Sequence, residues 1–447
     1  MKHFKLLLYF WIFLTFISCN QGVSNSQLSG NSDSLKQLSE RIALDFSVTE
    51  DQVKSQIEKR YGTFSPADKE NWEKKGWLEY RLINGRKMYF NRAASNLMLL
   101  KSFYEEKEKR QTETDNDSGM IFRRKHTEEA IKVTGNKSTP VVPVDMKITY
   151  TITVKQDVVP DGEKIRCWMP WPKENHSRQK NVELLNTSNK EYMIAPDSSI
   201  HSTIYMEEKS KHGLPTVFEI SFLYQSSAQY FNPGTLKPLP YDKTTGNYKK
   251  YTSEQLPQIC FTEHIKRLAD SIVGPDENPA EVVRKIYLWF KENIPWTGAL
   301  EYSIMPNIPE YVYQNRRGDC GMQTFLYMSM LRYKGIPVRW QSGWMVPPGE
   351  ENLHDWCEVF YEGIGWVPSD VSYDLQKSEK PEIKQYYLSG IDSYRLIVND
   401  GISGPLHPEK QFIRSEPYDF QRGEVEWSGG NLYFDKWNYH MKIEYIK

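Results

Sequence analysis

One stretch of the sequence joins a turn, a cysteine and a long apolar segment. Residues 315–335 read NRRGDCGMQTFLYMSMLRYKG. Gly318 favours a turn, and residues 322–333 are apolar almost all the way round a helix, which predicts a buried helix that ends at Gly335. Cys320 is then at the helix start, where free backbone N–H groups favour thiolate over thiol. The sequence thus predicts a lowered pKa for Cys320, although this segment alone fits a small buried hydrophobic residue about equally well.

A histidine and an aspartate follow the cysteine in an order that suits nucleophilic catalysis. His354 opens the alternating run HDWCEVFY, which predicts a strand, and Asp370 closes the segment GIGWVPSD after a glycine turn. A thiol nucleophile needs a base, and the base needs a group that holds its tautomer. Cys320, His354 and Asp370 are therefore the candidates for nucleophile, base and orienting acid. The alternative for His354 is a structural role.

Taken together, these motifs resemble the transglutaminase-like core. The matching blocks are RxGDC before a buried helix, GIPVR, HxWxEV and GWxxxD, over roughly residues 278–375. The resemblance implies a papain-like fold in which Cys320, His354 and Asp370 form a catalytic triad in that order. Asp355 and Cys357 depart from it, because the family often has smaller or apolar residues at these two positions.

The resemblance also places an oxyanion donor upstream of the cysteine. Trp296, in the segment IPWT, is the candidate, because an indole N–H is a donor only. A core aromatic residue is the alternative interpretation of Trp296. No metal and no organic cofactor is implied.

The chain begins with a pattern typical of exported lipoproteins. Two lysines precede an apolar run at residues 6–17, which is shorter than the ~20 residues of a membrane span. The run ends in FISC, which resembles a bacterial lipoprotein signal cleaved before Cys19, whose thiol then carries lipid. We expect residues 1–19 to be the signal peptide with the lipid-modified cysteine, and residues 20–35 to be a flexible tether. The protein would then be exported and anchored to a bacterial membrane, on its periplasmic side or at the cell surface; an ordinary secretory signal is the alternative.

The rest of the chain predicts a multidomain α+β protein. A capping box from Thr49 to Gln52 and the dipeptide Asn84-Gly85 predict helices and a hairpin, and alternating apolar residues further along predict strands. The predicted units are a helix-rich N-terminal domain with a β-hairpin at 36–112, a linker at 113–143, an antiparallel β-sandwich at 144–228, the transglutaminase-like catalytic core at 229–395 and a C-terminal β extension at 396–447.

Charge and cysteine content exclude two classes of protein. The 57 Lys and Arg residues balance the 58 Asp and Glu residues without a basic block, so we expect no nucleic-acid partner. Five cysteines, of which Cys19 and Cys320 are assigned other roles, do not make a disulfide scaffold.

The predicted function is that of a cysteine-type hydrolase or acyltransferase. It acts on amide or peptide bonds of a protein or peptide substrate through a thioester. Hydrolysis is favoured over amine transfer, because the sequence shows no site for an acceptor amine. The alternatives are a non-enzymatic binding or scaffold lipoprotein that retains the fold, a protein-crosslinking transglutaminase, and an amidase that processes glycopeptides.

The lipoprotein hypothesis predicts that a Cys19→Ser change moves the full chain from the membrane fraction to the soluble fraction. The physical reason is that serine cannot carry the acyl chains that hold the protein at the bilayer. Cell fractionation with radiolabelled palmitate measures both location and lipid, and Cys167→Ser serves as the control. A Cys19→Ser protein that stays in the membrane fraction would show that the anchor prediction is wrong.

Overall fold

The structure is a computed structural model of the 447-residue chain. It describes residues 25–105, 117–135, 137–174, 176–275 and 278–446, with side chains from residue 34 onward. The chain divides into two compact units, Met1–Leu44 and Asp45–Lys447. Cys19 and the predicted signal peptide lie outside the described residues. In the described part of the chain, no helix has both the length and the apolar character needed to cross a membrane.

Helix α1 (Asn25–Asp45) begins inside the segment predicted to be a flexible tether. Residues 25–35 are therefore helical in the structure, which differs from the prediction. The Asn-, Ser- and Gly-rich composition of this segment has low helix propensity and favoured a tether. Composition is only a weak guide to helix formation over a segment this short.

The second unit starts with helices and one hairpin. These elements are α2 (Glu50–Tyr61), α3 (Pro66–Lys74), β1 (Tyr80–Ile83), β2 (Arg86–Tyr89), α4 (Ala93–Glu105) and α5 (Ser118–Thr134). The predicted capping box is confirmed, since Thr49 and Gln52 exchange side chain-to-backbone hydrogen bonds. The predicted hairpin is confirmed too: Asn84 and Gly85 have φ angles of 50° and 76°, the two positive values of a type I′ turn.

Helix α5 lies within the segment predicted as a linker at 113–143, and this part of the prediction is wrong. The Asp117 side chain caps the helix start by accepting a hydrogen bond from the Met120 N–H, 2.9 Å away. The buried face consists of His126, Thr127, Ala130 and Thr134. This face is too polar and too small to stand out as an apolar stripe, so the helical period was hidden in the sequence.

From residue 141 the chain forms the sandwich and the core. In order, the elements are β3 (Val141–Val154), β4 (Lys164–Pro170), β5 (Gln179–Thr187), β6 (Tyr192–Ile194), β7 (Thr203–Lys209), β8 (Thr216–Tyr230), a 3-10 turn (Pro233–Thr235), α6 (Gly246–Thr252), α7 (Glu263–Val273), α8 (Pro279–Asn293), a 3-10 turn (Tyr302–Ile304), α9 (Ile308–Asn315), α10 (Cys320–Tyr333), β9 (Val338–Met345), β10 (Asn352–Tyr361), β11 (Gly365–Ser369), α11 (Pro381–Lys384), a 3-10 turn (Tyr386–Leu388), β12 (Gly390–Ile391), β13 (Arg395–Asn399), β14 (Glu424–Trp427), β15 (Gly430–Leu432) and β16 (Trp437–Ile446).

The antiparallel sandwich predicted at 144–228 also contains strands from the end of the chain. One five-stranded sheet has the order β12-β8-β3-β16 with β5 also paired to β8, and the other has the order β15-β14-β4-β7-β6. The C-terminal β extension predicted at 396–447 contributes to both sheets, because β14 pairs with β15 and β16 crosses to β3 in the other sheet. Alternating apolar residues identify a strand, but they do not specify its partner.

In the predicted core, helix α10 packs against an antiparallel sheet of order β11-β10-β9-β13. The helix runs from Cys320 to Tyr333, as predicted, and is buried almost throughout. Phe325 stacks on Trp340 of β9 with ring centroids 4.3 Å apart, and the Tyr327 hydroxyl lies 3.2 Å from Ser369 Oγ at the end of β11. The helix is therefore held across the sheet at both of these strands.

The sandwich and the core sheet share one hydrophobic core. Trp344 and Leu396 of the core sheet belong to the same buried cluster as Tyr150 and Phe222 of the sandwich. Trp344 is fully buried, its ring centroid lies 4.7 Å from that of Tyr150, and its indole N–H donates to the Gln421 carbonyl at 2.8 Å.

The four described cysteines are free and buried.

A Trp344→Ala change should destabilise the sandwich and the core together. Loss of a fully buried tryptophan side chain costs about 3–5 kcal/mol, and the shared cluster transmits that loss to both sheets. Urea unfolding followed by far-UV circular dichroism should show one transition at a lower midpoint. Leu214→Ala, at a residue that is 56% exposed, is the control and should change the midpoint little. Two separate transitions, of which only one moves, would contradict the shared core.

Candidate active site

The sequence before α10 holds Cys320 at the first position of the helix. Asp319 is the N-cap: its Oδ1 accepts hydrogen bonds from the Met322 N–H at 3.0 Å and from the Tyr302 hydroxyl at 2.6 Å. The backbone N–H of Thr297 donates to the Gly318 carbonyl at 3.1 Å, which ties the preceding loop to the segment that contains Trp296. The cysteine is therefore positioned by its own helix cap and by a second segment of chain.

The thiol of Cys320 donates a hydrogen bond to Asp355. Its Sγ lies 3.5 Å from Oδ2 of this buried carboxylate, whose Oδ1 accepts from Gln421 Nε2 at 2.6 Å. The close approach depends on Gly321, since a Cβ there would collide with both the Tyr302 hydroxyl and the Asp355 carboxylate. Asp355 is the residue that departs from the family pattern, and the structure places it against the candidate nucleophile.

The surroundings of the sulfur oppose the predicted thiolate. Burial raises the pKa of Cys320 well above its ordinary value, and the carboxylates of Asp355 and Asp319 raise it further. A hydrogen bond from the Asp355 backbone amide acts in the opposite direction and is outweighed. The predicted lowering of the Cys320 pKa is therefore wrong for this structure, because the nearby negative charges and the loss of water exceed the effect of the helix dipole.

His354 and Asp370 form a buried pair, as expected for a base and its orienting acid. His354 Nε2 lies 2.7 Å from Asp370 Oδ2, and Arg395 Nη1 lies 3.0 Å from the same oxygen. Burial raises the pKa of Asp370, but the interactions with His354 and Arg395 outweigh burial and hold this pKa well below its ordinary value. Asp370 is thus an ionised acceptor, and Nε2 of the imidazole carries the hydrogen.

The resulting tautomer leaves Nδ1 of His354 as the basic nitrogen. Burial lowers the pKa of His354, with Asp370 acting in the opposite direction, so the ring is neutral near pH 7. Trp356 stacks on the imidazole with ring centroids 6.0 Å apart, and Tyr373 makes an edge contact with ring centroids 5.2 Å apart. The imidazole is therefore fixed in orientation and in the form that accepts a proton.

The structure does not show the direct hydrogen bond that a triad predicts between Cys320 and His354. Among the described residues, the hydrogen-bond partner of the thiol is Asp355. Asp355 follows His354 on β10, so the thiol is bonded to the residue next to the candidate base and not to the base itself.

A cavity of about 410 Å³ lies beside Cys320. Its wall includes Trp296, which is 45% exposed, and the carboxylates of Asp355 and Asp419. The part of the chain described by the structure provides no hydrogen-bond partner for the Trp296 indole N–H, which leaves this donor available in the cavity wall. Its role as an oxyanion donor stays a prediction.

Three residues at the site carried no signal in the sequence. Arg395 lies in an apolar run and reads as part of a strand, yet it also makes hydrogen bonds of 3.0 and 2.9 Å from Nε and Nη2 to Asp392. Tyr302 and Gln421 belong to irregular segments far from the motifs. Their positions depend on chain packing and not on local pattern.

Comparison with known proteins identifies the core. Residues 266–371 match the family model of the transglutaminase-like superfamily core. The uncharacterized protein YebA of Bacillus subtilis (strain 168) is 24% identical over 148 residues, which are 28% of this chain and 20% of that protein. The match thus spans about a fifth of the length of this curated relative.

Two solved structures share a distant likeness. A candidate cysteine protease from Cytophaga hutchinsonii has 14% identity and a TM-score of 0.43, over 69% of this chain and 92% of its own. The periplasmic domain of TgpA from Pseudomonas aeruginosa has 13% identity and a TM-score of 0.26, over 59% of this chain and 95% of its own. The assignment of residues 266–371 rests on the family model.

Removal of the carboxylate at Asp355 should make Cys320 more reactive. The Asp355→Asn change keeps the shape but deletes a negative charge next to the sulfur, so thiolate forms at a lower pH. We expect iodoacetamide labelling of Cys320 at pH 8 to become about tenfold faster, the change produced by about 1.4 kcal/mol. Peptide mapping by mass spectrometry measures the rate. Asp145→Asn, on an exposed sandwich position, is the matched control, and equal rates for all three proteins would show that Asp355 does not act on the thiol.

Proposed function

Starting from a transglutaminase-like core at residues 266–371, we propose that this protein is a cysteine-type hydrolase that cleaves amide bonds in peptides or proteins. The single observation that supports this most is the buried pair of His354 and Asp370. The candidate nucleophile Cys320 begins α10, borders a cavity and hydrogen-bonds to Asp355, the residue that follows His354. A thiol, an oriented neutral imidazole and an ionised aspartate are the groups that acyl transfer through a thioester requires.

The proposed reaction begins with a rotation of the Cys320 side chain. The sulfur leaves the Asp355 carboxylate and turns toward Nδ1 of His354. Because the thiol and the imidazole are both neutral at rest, the proton passes to Nδ1 as the sulfur attacks the carbonyl carbon. Asp370 then holds the imidazolium in place and stabilises it with its negative charge, while Arg395 positions Asp370.

The second half of the reaction returns the enzyme to its starting state. The imidazolium donates its proton to the leaving amine, the carbon–nitrogen bond breaks and a thioester remains on Cys320. A water molecule gives a proton to His354 as its oxygen attacks the thioester carbonyl. The carbon–sulfur bond then breaks, the carboxylic acid leaves, and the imidazolium returns the proton to the sulfur. The indole N–H of Trp296 is the proposed donor to the oxyanion in both steps.

Hydrolysis is proposed over amine transfer because it needs only water as the second substrate. The competing hypotheses are a crosslinking transglutaminase, an amidase for glycopeptides, and a scaffold protein without activity. Export and lipid anchoring at Cys19 remain part of the proposal, and they imply a substrate outside the cytoplasm.

A glutamine-containing peptide tests the chemistry. Wild-type protein should convert the glutamine side chain to glutamate, a mass increase of about one dalton that mass spectrometry resolves, and added primary amine should not appear in the product. Cys320→Ala should abolish the reaction. His354→Ala should lower kcat/KM about a thousandfold or more, and Asp370→Asn somewhat less, because asparagine still contacts the ring.

Cys260→Ala is the matched control, since this cysteine is also buried in the core unit but lies at no candidate site. Incorporation of the amine would identify a transglutaminase instead. A rate that is the same for wild type and for Cys320→Ala would favour the scaffold hypothesis.

A further inference from the structure

The cavity beside Cys320 contains more carboxylates than cations. Five carboxylate side chains line it, against the guanidinium groups of Arg92 and Arg422. Arg422 is already engaged: its Nη1 and Nη2 donate to Glu301 at 2.9 and 2.7 Å, and its Nε donates to Glu416 at 2.6 Å. Arg92 is exposed, and its charge acts on Asp319. Among the described residues, neither arginine forms an ion pair with Asp355 or Asp419.

Asp419 is a cavity carboxylate to which, among the described residues, no other residue donates a hydrogen bond. Its residue is 6% exposed and lines the cavity. The hydrogen-bond partner of its carboxylate is its own backbone amide. Burial, together with the charge of Glu416, raises the pKa of Asp419 to about 8, and the charge of Arg422 offsets this only in part. A buried carboxylate that faces a cavity without a donor is costly unless something in the cavity pairs with it.

Asp355, in the neighbouring part of the cavity wall, also has no cation bonded to it among the described residues. It accepts from Cys320 and Gln421, both neutral groups, so its charge is not balanced either. The aromatic rings of Trp296 and Tyr439 also line the cavity and are 45% and 40% exposed. Aromatic faces attract ammonium groups, so the wall offers two kinds of contact to one positively charged ligand.

We propose that this cavity binds a primary ammonium group of the peptide whose amide bond is cleaved, with Asp419 and Asp355 as its carboxylate partners. The ammonium comes from the free amino terminus of the peptide or from a lysine side chain next to the cleaved bond. This inference rests on the proposed hydrolase function and names its substrate class.

The same charges argue against an acceptor amine in this cavity. An amine must lose its proton before it attacks a thioester, whereas neighbouring carboxylates favour the protonated ammonium form. An ammonium bound here is therefore held in an unreactive state. The cavity suits recognition of the acyl donor and not activation of a second substrate.

Four peptides with the same cleavable amide separate the sources of the ammonium. The first has a free amino terminus, the second is N-acetylated, the third is N-acetylated with lysine beside the amide, and the fourth has norleucine in place of that lysine. Turnover by wild-type protein is followed by mass spectrometry, and binding to Cys320→Ala is followed by calorimetry. We expect at least one ammonium-bearing peptide to bind about tenfold or more tightly than its neutral counterpart, as charge-assisted hydrogen bonds typically produce.

Variants tie the preference to the cavity. Asp419→Asn should bring the ratio of charged to neutral peptide binding close to one, because it removes the carboxylate that pairs with the ammonium while keeping the side-chain shape. Asp355→Asn should lower the ratio in part, and Asp145→Asn should leave it unchanged. Thermal unfolding checks that each variant is folded. If Asp419→Asn does not fold, the comparison of charged and neutral peptides with Cys320→Ala decides the proposal.

The outcomes distinguish this inference from the hydrolase proposal. Preferred binding of charged peptides without any turnover would support the ammonium site and overturn the hydrolase. Turnover with equal rates and affinities for charged and neutral peptides would overturn the ammonium site and leave the hydrolase standing. Incorporation of an added free amine that competes with the charged peptides would identify an acceptor site and overturn the inference.

Discussion

The buried contact of Arg395 with Asp370 is the interaction on which the arrangement of the site depends. Asp370 has no exposure to water, so its negative charge needs compensation from inside the protein. Arg395 comes from β13, the edge strand of the core sheet, while Asp370 follows β11 at the opposite edge. The ion pair therefore joins the two edges of the sheet, and it gives His354, near the start of β10, a fixed and ionised partner.

The two buried aspartates near β10, Asp370 and Asp355, differ in how their negative charge is compensated. On the His354 side, Asp370 is balanced by an arginine and an imidazole, and its pKa is held low. On the Cys320 side, burial and the neighbouring acids Asp419 and Asp319 raise the pKa of Asp355. The opposite shifts of two buried aspartates follow from the presence or absence of a cation next to each. Asp370 thus orients the base, whereas Asp355 and Asp419 are the proposed partners of a positively charged ligand.

The position of the site also depends on packing between distant parts of the chain. Strand β16 completes the sandwich beside β3, and Trp344 carries the sandwich core into the core sheet next to β10. Gln421, in the segment before β14, donates hydrogen bonds to the His354 carbonyl at 2.9 Å and to the Asp355 carboxylate. The end of the chain thus supports the two residues on which the candidate chemistry is centred.

The sequence by itself determined the local structure around the cysteine. The apolar period and the glycine stop predicted helix α10, and the ordered motifs identified the transglutaminase-like core. Helix caps and the Asn84-Gly85 turn were also predictable, because each depends on residues within four positions of one another.

Only the tertiary structure decided what surrounds the sulfur and the imidazole. The Asp355 carboxylate is 35 residues from Cys320 in the chain, and Arg395 and Asp419 lie further still. The pKa of Cys320 therefore could not be inferred from its place at a helix start, because burial and long-range charges outweigh the local dipole. Pairing of β16 with β3 was hidden for a related reason: alternation marks a strand, but its partner is chosen by the packing of the whole sheet.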